Sequence, residues 1–234
     1  MIYPGFDPDT FSGDGNEIAG LDTERTSLGY NSDDFIILFA TSGAYAKRGV
    51  GTFLDALAAF VGAVGADKLR ARPVLALMIG KADEHTLMEQ VRARGLEGSV
   101  RYLSTVERIE RYYRAADVLV HSAVVEEFGQ VIQESAVSGC PVIVLHWAAT
   151  TEIFGRELGE YVLDEPSADL IAAGLSRTYR AERADIRARW KERLSDEMKG
   201  NTWQRNSELS HALCAEVLAE KRSGARPRPQ PAGN

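Results

Sequence analysis

From residue 34 to about residue 221 the chain alternates short apolar runs with longer segments whose apolar residues recur at helical spacing. The runs are Phe35–Ala40, Val74–Ile79, Val100–Leu103, Val118–His121, Pro141–Leu145 and Tyr161–Leu163. Most are apolar on consecutive positions, the pattern of strands covered on both faces in a parallel sheet. Between them, Val50–Val64 places Phe53, Leu54, Leu57, Phe60 and Val61 at helical spacing, and Glu84–Arg94 carries Leu87 and Val91 four apart. Further helices are predicted over Val106–Ala115 behind a Ser104–Thr105 cap, Gln130–Ser138 stopped by Gly139, Ser167–Thr178, Glu182–Lys199 and Trp203–Lys221. This alternation predicts an α/β fold: a single Rossmann-like domain of about six mostly parallel strands with helices on both faces. Ligands of such sheets bind beyond the carboxyl ends of the strands, which directs attention to the strand-to-helix loops.

Charge changes the picture at the N-terminal end. Residues 1–34 hold eight acids against one base, Arg25, which accounts for the whole formal net charge of −7. The acidic stretch 7–34 reads as a solvated loop and 1–33 as a linker-derived segment, with its first residues, MIYPGF, pinned to the sheet edge. The balanced remainder has no broad basic surface, which argues against a nucleic-acid partner. The Pro- and Gly-rich tail 222–234 reads as disordered, and its few bases suit at most peripheral membrane association. No run reaches the ~20 apolar residues of a membrane span, and the N-terminus lacks a secretion signal. Two lone cysteines, Cys140 and Cys214, fit a reducing compartment, so a cytoplasmic location is expected. No His/Cys/Asp cluster has metal-ligand spacing, and no protein-built metal site is expected.

The stretch 117–145, DVLVHSAVVEEFGQVIQESAVSGCPVIVL, reads strand, loop, helix, strand. Glu126 lies in the loop and Glu134 in the helix, so both carboxylates can face one cleft at different depths. Gly129 lets a ligand approach the backbone closely, and the helix start offers free N–H groups and a positive dipole end. A carboxylate accepts two hydroxyl hydrogen bonds, which suits a vicinal diol. A solvated helix start with a favourable acid is the plainer reading of the same pair. His121 and His146 end strands at this edge. His121 reads as a packed, hydrogen-bonded histidine, and Trp147 as a stacking or packing residue.

Glu-x7-Glu around Phe128-Gly129, followed by Gly139-x-Pro141-Val142-Ile143, resembles glycosyltransferase family 4 and its relatives of the GT-B fold. MIYPGFDPDTF looks like the segment after that family's interdomain linker, and Arg25–Phe35 like the loop entering its first strand. Arg48-Gly49, with Lys47 beside it, resembles the family's Lys-Gly. Ile79-Gly80, Glu152 and Trp203 match a strand-end glycine, an acid after a Gly-rich turn, and a tryptophan near the last helix. The ordered set covers roughly residues 2–220.

The resemblance implies a donor-binding half of a retaining hexosyltransferase, whose donor is a UDP-, GDP- or ADP-sugar. By that resemblance Glu134 binds the ribose hydroxyls, and Glu126 contacts the sugar or sits near the reacting centre. Phe128, Gly129, Gln130 and Val131 border the sugar, Arg48 and Lys47 meet the diphosphate, and the base packs near Gly80, Leu103, Ser104 and Val106. Catalysis would fall to Glu126 and Arg48. A magnesium ion would come only with the diphosphate. The acceptor, a sugar, lipid or other hydroxyl compound, would enter through an N-terminal domain or partner chain, and this chain alone is expected to transfer weakly or not at all.

Three departures from the family pattern stand out. Ser42 occupies the position of a basic residue, although Ser42 and Gly43 could hold phosphate through backbone N–H groups. Ala148-Ala149 replaces a Gly-Gly turn, and His121 stands where the family often has proline. Two further readings remain open: a donor-binding subunit of a split enzyme, marked by an exposed apolar face around Phe6, Trp147 and Trp203, and a degenerate regulatory or structural domain.

Overall fold

The computed structural model describes residues 5–11, 18–43, 45–126, 129–146, 160–194 and 196–223. Phe128, Trp147, Ala148, Ala149 and Glu152 lie outside the described residues. The described strands are β1 (Phe35–Ala40), β2 (Val74–Ile79), β3 (Val100–Leu103), β4 (Val118–His121), β5 (Val142–Leu145) and β6 (Val162–Leu163). They form one six-stranded sheet in the order β3-β2-β1-β4-β5-β6, and every pairing is parallel. The chain winds outward from β1 to β3, then returns to β4 on the other side of β1. The loops after β1 and β4 therefore diverge at the point where the strand order reverses, which is where open α/β sheets hold ligands.

β1 explains why the apolar runs are consecutive. Phe35, Ile37 and Phe39 enter one core cluster, with Phe53, Leu57 and Phe60 of α3 (Val50–Val64) and Ile171 and Leu175 of α8 (Ala168–Arg180). Ile36, Leu38 and Ala40 enter the opposite cluster, with Tyr113 of α6 (Ile109–Ala115), Ile132 and Ala136 of α7 (Gln130–Val137) and Trp190 of α9 (Arg183–Arg193). The short α4 (Ala66–Ala71) follows α3, and α5 (Glu84–Arg92) opens on an Asp83 side chain that accepts from the Thr86 N–H at 2.7 Å.

Several expectations are corrected. The acidic N-terminal stretch is not simply a solvated loop: after the single turn α1 (Pro8–Phe11) it contains α2 (Ile18–Ser27), which buries Leu21 and Arg25. Arg25 donates to the carbonyls of Ala115, Ser32 and Asp34 and to the Asp117 carboxylate at 2.8 Å, and these acceptors account for its burial. Asp117 also accepts from the Ile36 N–H at 2.7 Å and from Arg183 at 2.8 Å. Burial by itself would raise this carboxyl, but Arg25, Arg183 and the Ile36 N–H outweigh it and hold it below the usual carboxylate range.

Phe6 is not pinned to the sheet edge. It forms an isolated parallel bridge with Thr202 and is buried, so it contributes nothing to an exposed apolar face. Ser104 and Thr105 do not cap the next helix: α6 begins at Ile109 without a side-chain cap, and both residues line a cavity instead. The segment expected as one helix over 182–199 is broken at Leu194, whose backbone is extended, into α9 and α10 (Asp196–Gly200). The last helix, α11 (Trp203–Ser223), runs two residues past its expected end.

Candidate active site

Two adjoining cavities open at the carboxyl ends of β1, β2 and β4. Thr41 and Ser42 after β1, with Val131 and Glu134 of α7, line both. The cavity on the β2 side adds Gly80, Lys81, Ser104, Thr105, Val106 and Tyr113, and the one on the β4 side adds Arg48, His121, Glu126, Gly129 and Gln130. Their volumes of roughly 260 and 330 Å³ lie near the lower end of the range of small-molecule sites.

Glycines set the approach of the loops. Gly80 has φ +128°, and a Cβ there would run into the Thr41 carbonyl, so the loops after β1 and β2 touch backbone to backbone. Gly49 has φ +74°, and a Cβ would strike the Ser122 carbonyl. The Ser122 hydroxyl shares its proton between the carbonyls of Arg48 and Gly49, at 3.1 and 3.0 Å, which staples the Arg48 turn to the end of β4.

The turn so held carries Arg48 toward Glu126, and Arg48 Nη1 forms an ion pair with Glu126 Oε2. His121, the last residue of β4 and buried, approaches the same oxygen through Nε2 at 3.1 Å. Gly129 opens α7 at φ +80° without a side-chain cap, and with Gln130 and Val131 it lines the cavity on the β4 side.

Glu134 stands on the next turn of α7, and Tyr113 of α6 donates its hydroxyl to Glu134 Oε2 at 3.1 Å. Burial raises Glu134 from 4.5 to about 6, the Tyr113 hydrogen bond opposing it in part. Tyr113 itself is pushed well above its ordinary value, by burial first and then by the neighbouring Glu134. A carboxylate fixed by one hydroxyl, with its remaining lone pairs toward a cavity, is built to receive hydroxyl groups.

Most of the expected residues thus meet around one cleft. Leu103 does not line it: its side chain packs in the core and its carbonyl accepts the Gly80 N–H at 3.0 Å. Lys47 is exposed and lines neither cavity. The Gly43 N–H already donates to the Thr41 hydroxyl at 3.2 Å, and the expected phosphate contact there has this competitor. Among the described residues no cluster of His, Cys, Asp or Glu could hold a metal ion. Sequence reasoning missed Tyr113, whose placement depends on how α6 meets α7, and Lys81, which follows Gly80 into the cavity on the β2 side.

The sequence profile described as Glycosyl transferases group 1 matches residues 22–195, well over half of the chain. The chain belongs to this family.

An uncharacterized glycosyltransferase of Methanocaldococcus jannaschii is 28% identical over 156 residues, 65% of this chain and 38% of that one. The structure of Anabaena HepE in complex with UDP and glucose superposes with a TM-score of 0.64 at 20% identity, covering 90% of this chain and 56% of HepE. The C-terminal domain of LpcC, a group 1 glycosyl transferase of Francisella tularensis, matches along 100% of its length and 85% of this chain, with a TM-score of 0.63 and 19% identity. The chain therefore spans little more than half of HepE and less of the M. jannaschii protein.

Proposed function

We propose that this chain binds a nucleoside-diphosphate sugar and forms the donor half of a retaining glycosyltransferase that moves a hexosyl group onto a hydroxyl acceptor. The observation that carries the reading is the convergence of Arg48, Glu126 and Glu134 on one cleft at the strand-order reversal. Glu134, steadied by Tyr113, takes the ribose hydroxyls. The base lies against Gly80, Ser104 and Val106. Arg48 meets the diphosphate and offsets the negative charge that grows on it as the glycosidic bond breaks. Glu126 and the backbone at Gly129 and Gln130 hold the sugar, with Val131 beside it. Two complexes of one structural neighbour support this donor class: HepE was solved with UDP and with UDP-glucose. Residues 34–221 make up the donor domain in this reading, and an acceptor domain or partner chain supplies the opposite wall.

Arg48→Ala separates the diphosphate contact from the nucleoside contact. The variant is expected to bind a nucleoside as the parent chain does and its diphosphate about tenfold or more weakly, the scale of a lost charge-assisted hydrogen bond. Equal diphosphate affinity in calorimetry would remove Arg48 from this role.

A further inference from the structure

The donor reading creates a difficulty that the geometry itself answers. A diphosphate would compete with Glu126 for the Arg48 guanidinium, whose Nη1 is paired with Glu126 Oε2. If Arg48 were the sole anchor of Glu126, donor binding would release the carboxylate just when the sugar arrives. His121 is a second anchor on the same oxygen, Glu126 Oε2, at 3.1 Å. The two anchors differ in mobility. The Arg48 side chain is 30% exposed on a turn, whereas that of His121 is 5% exposed at the end of a strand paired with Val144 of β5. Arginine has a long flexible stem, and histidine has two side-chain torsions, here packed.

The tautomer follows from acceptor chemistry. An ionised carboxylate only accepts, so His121 Nε2 carries the hydrogen that it donates to Glu126. Nδ1 is buried and has no hydrogen-bond partner among the described residues, which fits a bare lone-pair nitrogen. The adjacent Ser122 holds the Arg48–Gly49 turn through its hydroxyl. The last residue of β4 and the one after it therefore hold two walls of the cavity on the β4 side, one through the acid and one through the backbone of the base.

Resting on the donor reading, we propose that His121 is a positioning residue: its Nε2–H keeps the Glu126 carboxylate in place while Arg48 turns from Glu126 to the diphosphate. The role belongs to the sugar end of the cleft and leaves the nucleotide end untouched.

The test compares UDP, GDP and ADP with UDP-, GDP- and ADP-glucose by calorimetry on the whole chain. For the nucleotide that binds, His121→Leu is expected to leave diphosphate affinity within about twofold and to weaken the glucose ester about tenfold. His121→Gln, whose amide N–H reaches where Nε2–H was, restores most of the loss, and in a Glu126→Ala background His121→Leu has no further effect. Equal losses on diphosphate and ester, glutamine behaving as leucine, or a full His121→Leu effect without Glu126 would each overturn the proposal. Binding of none of the three diphosphates overturns the donor reading and this proposal with it. Nitrogen-15 spectroscopy of the unliganded chain tests the contact independently of any nucleotide and of any variant's folding. A His121 ring protonated at Nε2 and bare at Nδ1 is expected, and the opposite tautomer overturns the proposal.

Discussion

Glu134 carries a signature that can be read in solution. Its carboxyl is raised to about 6, chiefly by burial, so the folded chain binds that proton more tightly than the unfolded chain does. Ionising it costs stability. The cost is fully present above about pH 6 and vanishes as pH falls toward the unfolded value of 4.5. A protonated carboxyl has fewer lone pairs to offer ribose hydroxyls, so nucleotide-sugar affinity is expected to drop as pH falls through about 6. Glu134→Gln should flatten that profile; a profile unchanged in the variant would assign the titration elsewhere. Asp117 has the opposite sign, held low by Arg25 and Arg183, and its stabilisation is present above the unfolded value and lost in acid below it. Asp117→Ala leaves buried Arg25 uncompensated, and urea unfolding is expected to show a loss of about 3–5 kcal/mol. A loss below about 1 kcal/mol would mean that the Arg25 carbonyl acceptors suffice. Such residues divide by legibility. The pairing of Glu126 with Glu134 could be read from spacing around Phe128-Gly129, because the motif is local. Arg25 could not, since an arginine in an acidic stretch reads as solvated until its acceptors, more than eighty residues away at Ala115 and Asp117, are in place.

At the level of elements, the loop-to-helix junction at Gly129 is where backbone and chemistry meet. Its φ of +80° disfavours any side chain, and a Cβ would also press on Ile132 Cδ1 at 2.6 Å and on Glu126 Cγ at 3.2 Å. Gly129→Ala is therefore expected to destabilise by about 1–2 kcal/mol or more, and to weaken donor binding by shifting Glu126. Gly95→Ala is the control: it shares the positive φ, at +65°, but has nothing within 4 Å, and should cost stability alone. If both variants bind a nucleotide sugar as the parent chain does, the junction does not set the position of Glu126. The same physics governs what was legible among the elements. β1, β2, β4 and β5 announce themselves as largely consecutive apolar runs, because both faces of each are covered. The start of α6 does not, because Ser104 and Thr105 look like caps and instead face the cavity. α2 is obscured because its buried face includes a charged residue.

At the scale of the whole molecule, the sheet presents one wall of a cleft. HepE and the M. jannaschii protein extend well beyond the part this chain matches, and α11, which begins next to the Phe6–Thr202 bridge, leaves Trp203, Leu209, Leu213, Val217 and Leu218 exposed along its length. One wall can bind a donor but neither excludes water nor orients an acceptor. The purified chain incubated with UDP-, GDP- or ADP-glucose and a sugar acceptor is accordingly expected to yield no glycoside product by mass spectrometry. Efficient transfer by the chain alone would contradict this. The central claim is narrower than transfer, namely that the cleft between β1 and β4 is a nucleotide site anchored by Glu134. Its most direct test is calorimetric titration of the folded chain with UDP, GDP and ADP, repeated with Glu134→Ala. The account predicts that one of the three binds selectively and that the variant loses at least about tenfold in affinity, the scale of a lost charge-assisted hydrogen bond. Binding by none of them, or binding that Glu134→Ala leaves intact, would contradict it.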